Sequence, residues 1–141
     1  MRHARRNAGF TLIEIMVVMA IIAMLAAMVG PRLIGSQTKA QKQAARAQIE
    51  MFGTALDMFR LDVGRYPTSQ EGLGALRQPV GGSSRWDGPY LKKEVPNDPW
   101  DNPYVYRAPG QGGRPYELSS YGSDGTPGGE GDGSDITSWD G

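Results

Sequence analysis

"GFTLIEIMVVMAIIAMLAAMVGP", residues 9–31, decides what kind of molecule this is. From Ile15 to Pro31 no side chain carries charge, about the minimum for a helix that crosses hydrocarbon; the fuller run from Phe10 to Ile34 is ample. Glu14 breaks the pattern near its start. A lone carboxylate in a bilayer costs a few kcal/mol even on lenient scales, so it is usually paired or functional. No Lys, Arg or His lies between Glu14 and Arg32 to pair with it, so its partner has to come from outside the segment. A short basic stretch, residues 1–9 with Arg2, Arg5 and Arg6, precedes the run. No A-x-A cleavage site follows the run; the nearest such triplet, Ala45–Ala47, lies well beyond Pro31. On these features a plain signal anchor stays open.

Beyond Pro31 helical spacing continues. Ile49, Phe52, Leu56, Phe59 and Val63 form an apolar stripe on one helix face, read as ordinary core packing. Alanines at 40, 44, 45 and 47 add helix propensity, and Gly64 and Pro67 supply a stop. One helix is expected from about Phe10 to about Val63, kinked or loosened near Gly30 and Pro31. Residues 66–102 read as irregular, with a short helical piece near Glu71–Arg77. Tyr104–Arg107 and Tyr116–Tyr121, joined by a glycine-rich turn, read as a β-hairpin, with a further strand near Tyr90–Glu94. The expected architecture is α+β: one long N-terminal helix packed by its upper half on a small antiparallel sheet.

Composition narrows the function. Among 141 residues, 15 basic and 15 acidic side chains balance, but the arginines crowd the start and no Lys or Arg follows Arg114. There is no basic surplus or reader motif for nucleic acid. Cysteine is absent and the one histidine, His3, sits in the N-terminal basic stretch, which excludes disulfides and thiolate nucleophiles and, beyond that stretch, His triads and His-ligated zinc. No enzyme is expected. Arg32, Lys39, Lys42 and Arg46 form a second basic group, expected either as a solvated face or as a stripe meeting Glu50, Asp57 or Asp62 of neighbouring subunits. The methionines of the apolar run are read as packing, and Trp86, Trp100 and Trp139 as core or interface residues.

The tail "YGSDGTPGGEGDGSDITSWDG", residues 121–141, places Asp124, Glu130, Asp132 and Asp135 among glycines. Hard cations take carboxylate and carbonyl oxygens in such loops. Asp124 to Asp135 has the span of an EF-hand loop but not its ligand pattern or flanking helices. By composition a disordered acidic tail is the competing reading.

"GFTLIEIMVVMAIIAML" resembles the class III signal of type IV pilins and type II secretion pseudopilins. "ALDMFRLDVGRYPTSQEGLGAL", "DPWDNPYVYRAPG" and "LSSYGSDGTPGGEGDGSDI" are similar to the major, G-type pseudopilins in particular. The resemblance implies a type IV pilin-like fold with residues 1–9 as a cleaved leader and 10–34 as a transmembrane and polymerisation helix. Residues 35–64 would continue that helix, and 65–141 would form a small periplasmic domain. It implies cleavage by a prepilin peptidase between Gly9 and Phe10, methylation of the new Phe10 amine, and an assembly role for Glu14 toward the amine of an adjacent copy. The implied partners are further copies in a helical homopolymer, minor pseudopilins, the inner-membrane assembly platform and inner-membrane lipid. The implied cofactor is Ca²⁺, held in the C-terminal loop by Tyr121 through its carbonyl, Asp124, Asp132 and Asp135, with Glu130 and Ser134 as alternates. The implied function is a pseudopilus that drives folded proteins across the outer membrane. A type IV pilin for adhesion, motility or DNA uptake and a monomeric membrane-anchored calcium-binding module are the alternatives.

Overall fold

The computed structural model describes residues 9–140, and of residues 32–34 only the backbone. Most of the expected leader, residues 1–8, therefore lies outside the described residues, as does the side chain of Arg32. Helix α1 runs from Leu12 to Val63, 52 residues, with Pro31 inside it. Its start is capped: the Glu14 amide donates to the Thr11 hydroxyl at 3.3 Å, which satisfies one of the free N–H groups of the first turn. Its end comes where Gly64 turns to φ +89°, with the Gly64 amide still donating to the Arg60 carbonyl at 2.8 Å. The helical state is continuous through Gly30 and Pro31.

The chain divides into two compact units, residues 1–37 and 38–141. Within the first, the described residues turn their large apolar side chains outward: Phe10, just ahead of α1, is 80% exposed, and on the helix Leu12 is 82% and Met24 71% exposed. Among the described residues of that unit none covers them.

In the second unit the apolar stripe is the core. Phe52, Leu56 and Phe59 are fully enclosed and Ile49 nearly so, with Val63 packed at the edge. Across from them lie Leu73, Ala75, Leu76, Leu91, Leu118 and Ile136. Tyrosines seal the flanks edge-on: Tyr104 on Phe52 at 5.1 Å and Tyr90 on Phe59 at 5.7 Å between ring centres. Trp86 and Trp100 pack against this core, whereas Trp139 stays 38% exposed under the Arg114 guanidinium, 4.5 Å away. The short helical piece is a 3-10 turn, Leu73–Leu76, entered through a Thr68–Glu71 box in which the Thr68 amide donates to Glu71 and the Glu71 amide to Thr68.

Strands β1 (Val105–Arg107), β2 (Glu117–Ser120) and β3 (Ile136–Thr137) make one antiparallel sheet in that order, with Tyr106 opposite Leu118 and Ser120 opposite Ile136. The hairpin of the sequence reading is present, slightly trimmed. The third strand is not at Tyr90–Glu94. There the Tyr90 amide donates to the Leu76 carbonyl at 2.8 Å, and the Leu91 and Lys92 carbonyls accept from Arg77. Those groups are spent on a side chain and a turn, and Pro89 and Pro96 bracket the segment. The strand comes instead from the tail, where the acidic, glycine-rich composition had pointed to loop.

Candidate functional site

The tail is built on the end of β2. Ser120 is buried, and Gly122 at φ +67° turns the chain away from the sheet. A Cβ at Gly122 would stand 2.9 Å from the Ser134 carbonyl, so the two ends of the loop touch only because residue 122 has no side chain. Between these ends the chain folds back on itself. Asp124 Oδ1 accepts the Thr126 amide at 3.1 Å, and Oδ2 faces the Gly129 and Gly133 backbone so closely that a Cβ at either would lie 2.7 or 2.8 Å from it. Asp135 Oδ2 accepts the Gly128 amide at 2.9 Å. Its other oxygen, Oδ1, is buried with no hydrogen-bond donor among the described residues, an expensive state for a carboxylate unless a cation or water satisfies it.

Asp124 and Asp135 thus fold against the same stretch, residues 128–133. Glu130 and Asp132 are exposed and enter the loop through their carbonyls, which accept from the Gly133 amide at 3.1 Å and the Ser123 hydroxyl at 3.2 Å. Ser134 donates its hydroxyl to the Gly131 carbonyl at 2.9 Å. Tyr121 is half-buried and lines a cavity of about 470 Å³ with Asp135 and Trp139. Among the described residues no three acidic or imidazole side chains gather at one point. A metal here would draw on two carboxylates, Asp124 and Asp135, and otherwise on neutral oxygens. The unsatisfied Asp135 oxygen and a glycine cradle that any Cβ would fill suit Ca²⁺, which accepts mixed carboxylate and carbonyl oxygens.

Two braces hold the loop's roots. On the sheet side, buried Asp98 accepts the Ser120 hydroxyl at 2.5 Å, the Asn102 amide at 2.8 Å and the Trp100 amide at 3.0 Å. Asn102 in turn donates its side-chain amide to the Gly122 carbonyl at 3.1 Å. On the helix side, the Lys42 ammonium reaches Ser134 Oγ at 2.9 Å and the Gly131 carbonyl. Sequence reasoning singled out neither Asp98 nor the contact of Lys42. The Asp98 role had a signal, since Asp-Pro-Trp-Asp-Asn is a turn whose first carboxylate commonly caps the amides that follow. Two of the three acids expected to receive the basic stripe are engaged within the chain: Tyr66 donates to Asp57 at 2.8 Å and Tyr90 to Asp62 at 2.9 Å.

In the N-terminal unit Gly9 and Phe10 precede the helix and are exposed, and Glu14 is an exposed acid in its first turn among outward apolar side chains. Burial pushes the Tyr104 and Tyr106 phenols well above the usual range, and both are hydrogen-bonded, Tyr104 to Gln48 and Tyr106 to the Pro67 carbonyl.

An uncovered apolar helix that continues into the core of a small α+β unit is the architecture of a pilin-like subunit. The model of the family "Type II secretion system (T2SS), protein G" matches residues 32–139, and that of the "Prokaryotic N-terminal methylation motif" matches residues 4–30. The chain is 44% identical over 139 residues to the type II secretion system core protein G of Pseudomonas aeruginosa, covering 96% of this chain and 97% of that one. It is 43% identical over 142 residues to its counterpart in Vibrio cholerae, covering 99% and 96%. A crystal structure of the major pseudopilin from the type 2 secretion system of enterohaemorrhagic Escherichia coli superposes with a TM-score of 0.62 at 37% identity, over 77% of this chain and 95% of that one. The chain belongs to the type II secretion system protein G family. It is accordingly a structural subunit that assembles with other pseudopilins.

Proposed function

We propose that the chain is the major subunit of a periplasmic pseudopilus that drives folded proteins across the outer membrane. A prepilin peptidase removes residues 1–9, and the freed Phe10 amine is methylated. The mature subunit waits in the inner membrane as a single-pass protein with its globular unit in the periplasm. The assembly platform then draws it into a homopolymer capped by minor pseudopilins. The observation that carries this reading is the first third of α1, an apolar surface that no described residue of its own unit covers, with one acid, Glu14, in its first turn. Lipid covers that surface before assembly and neighbouring helices cover it afterwards. Glu14 meets the amine of the adjacent copy, which neutralises two charges that neither medium accepts singly.

Ca²⁺ is the proposed ligand of the C-terminal loop, held by Asp124, Asp135 and backbone oxygens of the glycine-rich stretch. When bound it supplies fixed positive charge that offsets carboxylate repulsion. Loop folding and ion binding are then linked, and so is the outer surface of the assembled subunit. N-terminal sequencing of protein from native membranes tests the processing step. Methyl-phenylalanine corresponding to Phe10 is the expected first residue; a chain starting at Met1 overturns the proposal.

A further inference from the structure

Lys42 stands apart from the rest of its basic group. It is half-buried on α1, and its ammonium lies at the loop, 92 positions on in the sequence from it at Ser134. It donates to Ser134 Oγ at 2.9 Å and to the Gly131 carbonyl. The Gly131 carbonyl also accepts the Ser134 hydroxyl at 2.9 Å and the Ser134 amide at 3.4 Å. That oxygen is therefore spent on the latch and is not a free ligand. The carboxylate-bearing residues flank the latched turn: Asp135 follows it directly, and Gly133, inside it, packs on Asp124. Neighbouring Gln41 grips the other root, donating to the Pro99 carbonyl at 3.2 Å beside Asp98.

We infer that Lys42 is a positioning residue for the calcium loop, pinning the Gly131–Ser134 turn to α1 so that Asp124 and Asp135 are held against the same glycine-rich stretch, residues 128–133, before the ion arrives. The inference rests on the proposal that this loop binds Ca²⁺. Two effects of the ammonium oppose each other. Its charge repels a nearby cation, and its hydrogen bonds remove the freedom of a glycine-rich segment whose ordering is otherwise charged to binding. The repulsion acts through a partly solvated side chain and is screened; the loss of freedom in a segment with five glycines between Asp124 and Ser134 is not. Pre-ordering wins, and Lys42 raises affinity.

The test uses the full-length chain in detergent micelles, with calcium binding followed by calorimetry and amide exchange at Gly133 and Ser134 followed in EGTA. Lys42→Gln is expected to weaken calcium roughly tenfold, the equivalent of one hydrogen bond to a charged group, and to speed exchange at both amides. Lys42→Arg, which keeps a charged donor, restores most of both. Ser134→Ala removes the latch from the loop side while keeping the Ser134 carbonyl, and is expected to reproduce Lys42→Gln if that variant folds poorly. Calcium bound as tightly or more tightly by Lys42→Gln overturns the inference, as does unchanged exchange in both variants. Failure of the wild-type chain to bind calcium sinks the calcium reading instead, and the exchange measurements then decide whether the latch exists without it.

Discussion

Ser120 donates a 2.5 Å hydrogen bond to Asp98, joining the last residue of β2 to the Asp-Pro-Trp corner beneath the C-terminal loop. Both residues are buried, and Asp98 carries two backbone amides besides. Removing one member of such a group leaves the others unsatisfied, each at about 1–3 kcal/mol. Asp98→Ala is therefore expected to cost about 3 kcal/mol or more in denaturant unfolding of the micelle-bound chain. Ser120→Ala should cost clearly less, because Asp98 keeps its two amides. Equal costs would show that Asp98 is not the hub.

Phe52 is wholly enclosed, with Tyr104 edge-on against it. Phe52→Ala should remove about 3–5 kcal/mol, most of the stability of a small domain. Circular dichroism is expected to keep the signal of the membrane-proximal helix while near-ultraviolet tyrosine and tryptophan signals collapse.

Gly133 has ordinary backbone angles, so alanine there tests space alone. Its Cβ would meet Asp124 Oδ2 at 2.8 Å and force that carboxylate out of the loop. Gly133→Ala should abolish the rise in melting temperature on adding calcium, while the melting temperature in EGTA changes little. A calcium response equal to wild type would place the ion elsewhere.

Arg65 and Glu71 form a two-pronged pair at 2.7 and 2.8 Å. That hydrogen bonding, with help from the Thr68 amide, lowers the Glu71 carboxyl to about 2. Because the folded value is depressed, the pair's contribution is complete above the unfolded value near 4.5 and is lost as pH falls through 2. Arg65 is 44% exposed, so screening holds the contribution to about 1 kcal/mol. The melting-temperature gap between wild type and Glu71→Gln should be constant from pH 5 to 8 and should close between about 4.5 and 2.

Glu14→Leu should insert normally and assemble poorly, because an apolar surface gains nothing from its own charge but loses its register without it. Pull-down of native filaments, scored against membrane-inserted monomer, measures this. Filaments in wild-type yield would remove the assembly role from Glu14.

The helix was legible because two patterns overlap on it, an uncharged run and then a stripe at helical spacing. Ile49, Phe52, Leu56 and Phe59 all lie in the core that the stripe foretold. The hairpin was legible through its aromatic alternation and glycine turn. The third strand was not. Ile136 and Thr137 are only two residues long and follow a stretch whose composition says loop, while Tyr90–Glu94 has strand-like content but spends its backbone groups on Arg77 and Leu76. At the loop, the resemblance pointed to Tyr121, Asp124, Asp132 and Asp135, of which Asp124 and Asp135 fold against the same glycine backbone, whereas the reach of Lys42 to Ser134 and of Asp98 to Ser120 was not legible. Both act across long separations, 92 residues for Lys42–Ser134 and 22 for Asp98–Ser120, and no local pattern carries that information.

The bare apolar surface of α1 has an energetic corollary. Moving it from lipid into a bundle of like helices exchanges hydrocarbon for hydrocarbon, so the hydrophobic effect gives almost no push in either direction. Polymer growth then runs close to balance on that score. Its direction must then come from work supplied outside the subunit.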